Sequence, residues 1–421
     1  MIFTKIILAH LVLMAASEVN SNATPMEKAI IWDVVLSKMQ TFFDTLLPLK
    51  SQECILILGD RNDVQDYELS RFLRRDNTPV VKSKLDVQYP RFDKDNATDI
   101  VLIDFPMYDE FHNITTDIMF AFIEKLIFDE ALRLKILLVV PDYFNAQSFR
   151  FSKIVSKLVA VLDHNSPSYF NSIGVIGAIR QGNQKITEKK VLNIARSMIK
   201  DLQSDNMEDL HDILYKLTDP DLKIYGEGTS EFLERRKTLM SKILENDAFA
   251  IFRRRRKRDK SWAPVNEGRR LRGLVFEKLS YASPDVKVHY RVVVDKITYH
   301  FVSQSLEFTH DKDYVKSLAI KVAKYVVAKD FDDCDRHSVD NNPYHRYIEM
   351  IVVMSHEEFG DYMDNNGGHG WKDLQFERTK LDFFEKLLDV PSSVTEFNMR
   401  LLIVNEIYEI RKKGVKWSKN C

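Results

Sequence analysis

Four compact apolar runs punctuate residues 50 to 180. Cys54-Ile-Leu-Ile-Leu58 stops at Gly59, Asp99-Ile-Val-Leu-Ile103 at Asp104, and Ile136-Leu-Leu-Val-Val140 at Pro141; Ser172-Ile-Gly-Val-Ile-Gly-Ala-Ile179 is the fourth. Runs that stay apolar throughout, rather than alternating, predict central strands of a parallel sheet covered on both faces. Helical spacing fills the gaps. Ile118, Phe122, Leu126 and Ile127 recur at three- and four-residue steps within 115–132, as do Phe151, Ile154, Val155, Leu158 and Leu162 within 149–163. Strand and helix in alternation predict right-handed crossovers and a doubly wound, mainly parallel α/β domain.

Beyond residue 188 the pattern turns helical, over Val191–Leu202, Met207–Leu217 and Ser230–Leu244. Ala248-Phe-Ala-Ile-Phe252 is apolar enough to be a last strand. Residues 283–300 put Val286, Val288, Tyr290, Val292 and Val294 on one face, which predicts a hairpin strand or the start of a second domain. In the last third, Val315, Leu318, Val322 and Val326 form a helical stripe, and Ser393–Lys413 reads as a long helix with a Ser393/Glu396 capping box and Gly414 beyond its end. Asn365-Asn-Gly-Gly-His-Gly370 reads as a flexible loop. The expected division is therefore an α/β domain over 27–280 and a mainly helical one over 281–421.

The first residues stand apart from both. Lys5 followed by the apolar stretch Ile6–Ala16 and the small residues Ala15, Ala16 and Ser17 reads as a cleavable signal peptide over 1–22. A spanning helix needs roughly 20 apolar residues, so the run predicts a secreted, soluble mature chain rather than an anchored one. The sequons at Asn96 and Asn113 agree with export as glycosylation sites, while Pro25 spoils the one at Asn22. Some 400 further residues exceed what one core usually supports. The net charge of -1 argues against a global nucleic-acid or membrane field. Cys54, Cys334 and Cys421 form neither a disulfide framework nor a metal-ligand spacing.

The element order resembles that of a nucleotide-binding P-loop domain. In such domains the first strand runs into a glycine-rich loop whose lysine meets the terminal phosphates and whose next hydroxyl residue holds magnesium. Ile55-Leu-Ile-Leu-Gly59 looks like that strand and opening glycine, but Val64 stands where the second glycine belongs, Gln65 where the lysine does, and Asp66 replaces the hydroxyl. Ile100-Val-Leu-Ile-Asp104-Phe-Pro106 resembles the GTPase strand whose aspartate reaches magnesium, with Met107 in place of the glycine. At the fourth strand, Ala178-Ile179-Arg180-Gln181 replaces the guanine-reading Thr/Asn-Lys-x-Asp. With Phe170-Asn-Ser-Ile-Gly174, the layout resembles a P-loop GTPase-like family found in arthropod genomes, over roughly residues 50–280. The resemblance implies the fold without the catalysis. Asp60, Asp63 and Asp66 beside a phosphate would each cost on the order of 4 kcal/mol at an effective dielectric near 20, and Arg61 offsets one at most. No cofactor is expected.

Arg253-Arg-Arg-Arg-Lys-Arg258 is the sharpest local feature of the mature chain. In a secreted protein Arg255, Arg256, Lys257 and Arg258 fit a furin-like convertase, whose cut after Arg258 is expected to part the α/β domain from the helical one. Six clustered cations also suit a polyanion, and a solvated loop is the plain alternative. Asp332-Asp-Cys334-Asp335-Arg-His337, His356-Glu357-Glu358 and His369 hold isolated metal-ligand types without a second cluster. Three functional readings remain: a secreted pseudo-NTPase-like protein binding a protein partner, a nucleotide-binding protein with a non-standard phosphate loop, and a secreted hydrolase whose Asp104, Asp142 and post-Gly59 loop converge at the strand ends.

Overall fold

The computed structural model describes residues 25–46, 52–60, 68–74, 90–95, 97–108, 114–141, 154–162, 166–180, 230–254, 265–282, 290–305, 312–332, 354, 356–388 and 396–412. The chain forms two compact units, Met1–His300 and Phe301–Cys421.

The first unit is built on six strands: β1 (Glu53–Asp60), β2 (Arg91–Asp95), β3 (Ile100–Tyr108), β4 (Arg133–Pro141), β5 (Ile173–Arg180) and β6 (Phe249–Arg254). They lie in the order β2-β3-β1-β4-β5-β6, every neighbouring pair parallel except β2–β3. The four apolar runs are β1, β3, β4 and β5, and Ala248–Phe252 supplies most of β6. Ile55 to Leu58 and Leu134 to Leu138 are almost wholly buried, as strands covered on both faces must be.

The helices are α1 (Pro25–Leu46), α2 (Glu68–Leu73), α3 (Ile114–Glu130), α4 (residues 154–162), α5 (Ser230–Glu245), α6 (Val265–Arg272, continued as a π-turn over Gly273–Lys278) and α7 (Lys296–Gln304). Right-handed crossovers place α2 on the opposite face from α3 and α4, because the chain moves outward from β1 to β3 and then back across the sheet to β4. On its own face α2 meets α6. Phe72 lies 5.6 Å from Phe252, Arg272 stands 4.9 Å over the Phe72 ring, and its Nη2 donates to the Phe72 carbonyl at 3.0 Å. Gly268 permits this approach, since an added Cβ would sit 2.8 Å from Phe72 Cζ.

Two elements escape the pattern. In α1, Ile31, Trp32, Val35, Met39, Phe42 and Phe43 are buried and the helix packs on α3; Pro25 at its start is the favoured first-turn position. β2 (Arg-Phe-Asp-Lys-Asp) buries Asp93 and Asp95 and exposes Lys94, the reverse of a hydrophobic alternation. Asp95 instead accepts from Thr98 Oγ1 at 2.6 Å and the Ala97 amide at 3.3 Å, closing the β2–β3 hairpin, with Asp99 at φ 59.

Residues 290–295 depart from the expected hairpin strand. Val292, Val293 and Val294 are buried in succession, and the segment crosses α3 and α4 with no strand pairing among the described residues. Arg291 N donates to Val161 O at 2.7 Å, and Tyr290 stacks on Phe128 at 5.0 Å while its hydroxyl donates to Asp129 at 2.7 Å. The last residues of the 283–300 stretch, from Lys296, begin helix α7.

In the second unit α8 (Lys312–Asp332), α9 (His356–Asn366), α10 (Gly368–Leu388) and α11 (Glu396–Lys412) enclose Val315, Leu318, Val322, Met363, Trp371, Leu374 and Ile403. The Asn365–Gly370 stretch is not a flexible loop: helix continues through Asn366 and resumes at Gly368. An added Cβ at Gly367 would lie 2.5 Å from Trp371 Cβ, and at Gly368, where φ is 63, 2.9 Å from the Tyr325 ring. The glycines serve a tight corner, which Trp371 Nε1 secures by donating to Asp364 at 2.8 Å.

Candidate functional site

β1 is flanked by β3 on one side and β4 on the other, so the strand order reverses at it. In open α/β sheets the crevice outside the carboxyl ends of the strands, at such a reversal, is where ligands bind. There the register of β1 slips: Gly59 faces Pro106 on β3, but Asp60 faces Tyr108. Gly59 is buried. Asp104, opposite Ile57, is 4% exposed and accepts a hydrogen bond from the Ser70 hydroxyl. Ser70 is itself buried on α2, which Leu69 and Leu73 seat against the sheet. A carboxylate in this setting relies on such donors, because burial without them costs several kcal/mol.

The structure thus places Gly59 near the carboxyl end of β1 and Asp104 midway along the neighbouring β3, which runs on to Tyr108 rather than stopping at Asp104, and adds Ser70, which no sequence pattern singled out. Val64, Gln65, Asp66 and Asp142 lie outside the described residues. So do Arg255, Arg256, Lys257 and Arg258, the sequon residues Asn96 and Asn113, Cys334, Cys421 and the leader over 1–22. The first two cations of the basic run, Arg253 and Arg254, are ladder residues of β6, opposite Ile179 and Arg180. A cut after Arg258 would not part the two units. α6, its π-turn and the 290–295 segment all belong to the first, where Lys278 Nζ bonds Asp247 O at 2.8 Å and Ala282 N bonds Leu134 O at 2.9 Å.

Two further polar clusters lie in this unit. In the helix layer Asp117 of α3 accepts from the Asp295 amide at 2.8 Å, and Asp295 in turn caps α7 through the Thr298 amide at 2.8 Å. Glu124, one face further along α3, lies 4.0 Å from Lys157 of α4. All but Asp295 are buried. Burial, then the Asp295 charge, pushes the Asp117 carboxyl up to about 7, against the pull of Lys157 and the Asp295 amide. Burial raises Glu124 as well, again opposed by Lys157.

At the amino edge of the sheet, Arg133 pairs with Glu53, and Lys135 donates to Val275 O at 2.8 Å. The Tyr281 ring lies 4.3 Å from Lys135 Nζ and 5.2 Å from the Arg133 guanidinium. Burial, ahead of the neighbouring charges, lowers the Lys135 ammonium; burial and then Glu53 raise the Tyr281 hydroxyl. Cys54 is a buried free thiol on β1.

Among the described residues no group of three His, Cys, Asp or Glu side chains is arranged to hold a metal ion. Nor is any described helix long and apolar enough to cross a membrane. Comparison with protein-family models and with curated protein sequences gave no match to this chain.

Proposed function

We propose that this chain is a secreted, non-catalytic P-loop-like protein that acts by binding other macromolecules. The observation that carries the proposal is the buried Ser70–Asp104 pair. The carboxylate that a nucleotide-binding domain would direct at magnesium is turned toward a side chain of its own α2. Gln65 for lysine and three aspartates in the adjoining loop argue the same way, since both changes oppose a triphosphate. The apolar segment ahead of α1 supports export.

Nucleotide binding through a non-standard loop is the second reading, favoured by the central position of β1 and the register slip at its carboxyl end. Thermal unfolding of the purified protein separates the two. With millimolar GTP or ATP and magnesium the midpoint is expected to stay within a degree of the ligand-free value. Saturating ligand that binds only the folded state raises stability by about 2.7 kcal/mol at a hundred times its dissociation constant, so a rise of several degrees would establish the second reading.

A further inference from the structure

The basic run does not end at Arg258. Between residues 253 and 278 the chain holds eleven cations, the Arg253–Arg258 run and five more up to Lys278, against Asp259, Glu267 and Glu277. That is +8 on 26 residues of a chain whose total is -1. Six of these cations lie in described elements, Arg253 and Arg254 on β6 and Arg269, Arg270, Arg272 and Lys278 on α6 and its π-turn. β6 is the terminal strand of the sheet and α6 packs against it. Arg253 and Arg254 stand at its carboxyl end. At its amino end Arg270 and Lys278 converge on the single carboxylate of Asp247, at 3.2 and 3.0 Å, with Arg269 exposed beside them. Asp247 thus fixes two cations in place without neutralising the pair. Six strand residues at about 3.3 Å each separate the two ends by roughly 20 Å.

We infer that the β6 edge and α6 form a docking stripe for a linear sulfated polysaccharide. Charge in a row with fixed ends suits a polymer bearing sulfates at regular intervals, bound by release of counterions. Single-stranded nucleic acid would also need exposed aromatic platforms. The described aromatics at this edge offer no exposed ring: Phe249 and Phe252 are buried, Phe276 is half-buried, and Phe72 lies under Arg272. The choice of polysaccharide rests on the secreted reading above.

The test uses the purified full chain and a labelled, size-defined heparin oligosaccharide, its desulfated counterpart, and a single-stranded oligonucleotide of equal charge. The sulfated probe is expected to bind with an affinity that falls linearly in log–log against salt, the desulfated one far more weakly. The Arg269→Ala/Arg270→Ala pair should weaken binding about tenfold with an unchanged melting midpoint. If that pair melts early, Arg269→Glu alone replaces it, with the same loss expected. Equal binding by wild type and the folded variant overturns the stripe, and an oligonucleotide that binds as tightly as the glycan overturns the polymer class. Partition of the expressed chain between medium and cell lysate is scored separately. Retention in cells with glycan binding intact defeats export alone, whereas export without binding defeats the stripe alone.

Discussion

The amino edge of the sheet and the helix layer solve the same problem differently. Both bury charge within the first unit, Lys135 at the edge and Asp117, Glu124 and Lys157 in the helix layer, each beside an exposed charged neighbour. At the amino edge two cations, Arg133 and Lys135, meet a carboxylate, a carbonyl oxygen and the face of an aromatic ring. In the helix layer the proportion is reversed: Asp117 and Glu124 share Lys157, and the exposed Asp295 adds a further negative charge beside Asp117. A buried cation such as Lys135 can be satisfied by a neutral acceptor and a π-face, so it needs no second buried charge. Two buried carboxylates beside one ammonium cannot both ionise cheaply, so the second cluster holds a proton. The first is a clip, and the second is a titrating joint beneath the 290–295 segment.

The strongest way to break that contrast is to remove the lysine. Lys157→Met leaves Glu124 and Asp117 buried without their cation, and the expected loss is about 3–5 kcal/mol at pH 8 by urea unfolding. At pH 5, where Asp117 holds its proton, the loss should be clearly smaller. Equal losses at both pH values would mean that the joint does not titrate.

Asp117→Asn sharpens the same point at lower cost. Folded Asp117 keeps its proton up to about 7, against 3.8 for an ordinary aspartate. Its contribution to stability is therefore whole below about pH 4 and is lost as pH rises through 7. Asparagine keeps an acceptor for the Asp295 amide and carries no charge. The variant should lose stability relative to wild type least near pH 8, and the difference between the two curves should climb from pH 4 to 7.5. A flat difference would show Asp117 ionised throughout.

The sheet was legible because most of its strands are apolar without interruption; Ile55–Leu58 and Ile136–Val139 have the length and texture of strands covered on both faces. β2 was not, because its inward residues are Asp93 and Asp95, and Asp95 takes its partners from a turn rather than from a core. Gly59 closes an apolar run that is most of β1, whereas β3 continues past Asp104 to Tyr108, and Ser70 sits in a six-residue helix too short to show a period. Glu124 and Lys157 look, in sequence, like the polar faces of amphipathic helices; only the packing of α3 on α4 turns them toward each other. The glycines of Asn365–Gly370 misled for a related reason, since close packing and flexibility draw on the same residue.

The smallest expected effect lies at the clip, and its value is in what it should not do. Lys135→Met keeps the buried stem and loses the bond to Val275 O and the contact with Tyr281; about 1–2 kcal/mol is expected. Tyr281→Leu removes the ring alone and should cost about 1 kcal/mol beyond its packing. A double-mutant cycle between the two isolates the cation–π coupling, on the order of 0.5–1 kcal/mol. No carboxylate takes part in that coupling, so it is expected not to grow with pH between 5 and 8. The corresponding cycle between Lys157→Met and Glu124→Gln should grow with pH as the carboxylate ionises. If the two cycles run parallel instead, cation-rich and acid-rich burial are energetically alike in this fold, and the distinction between clip and joint fails.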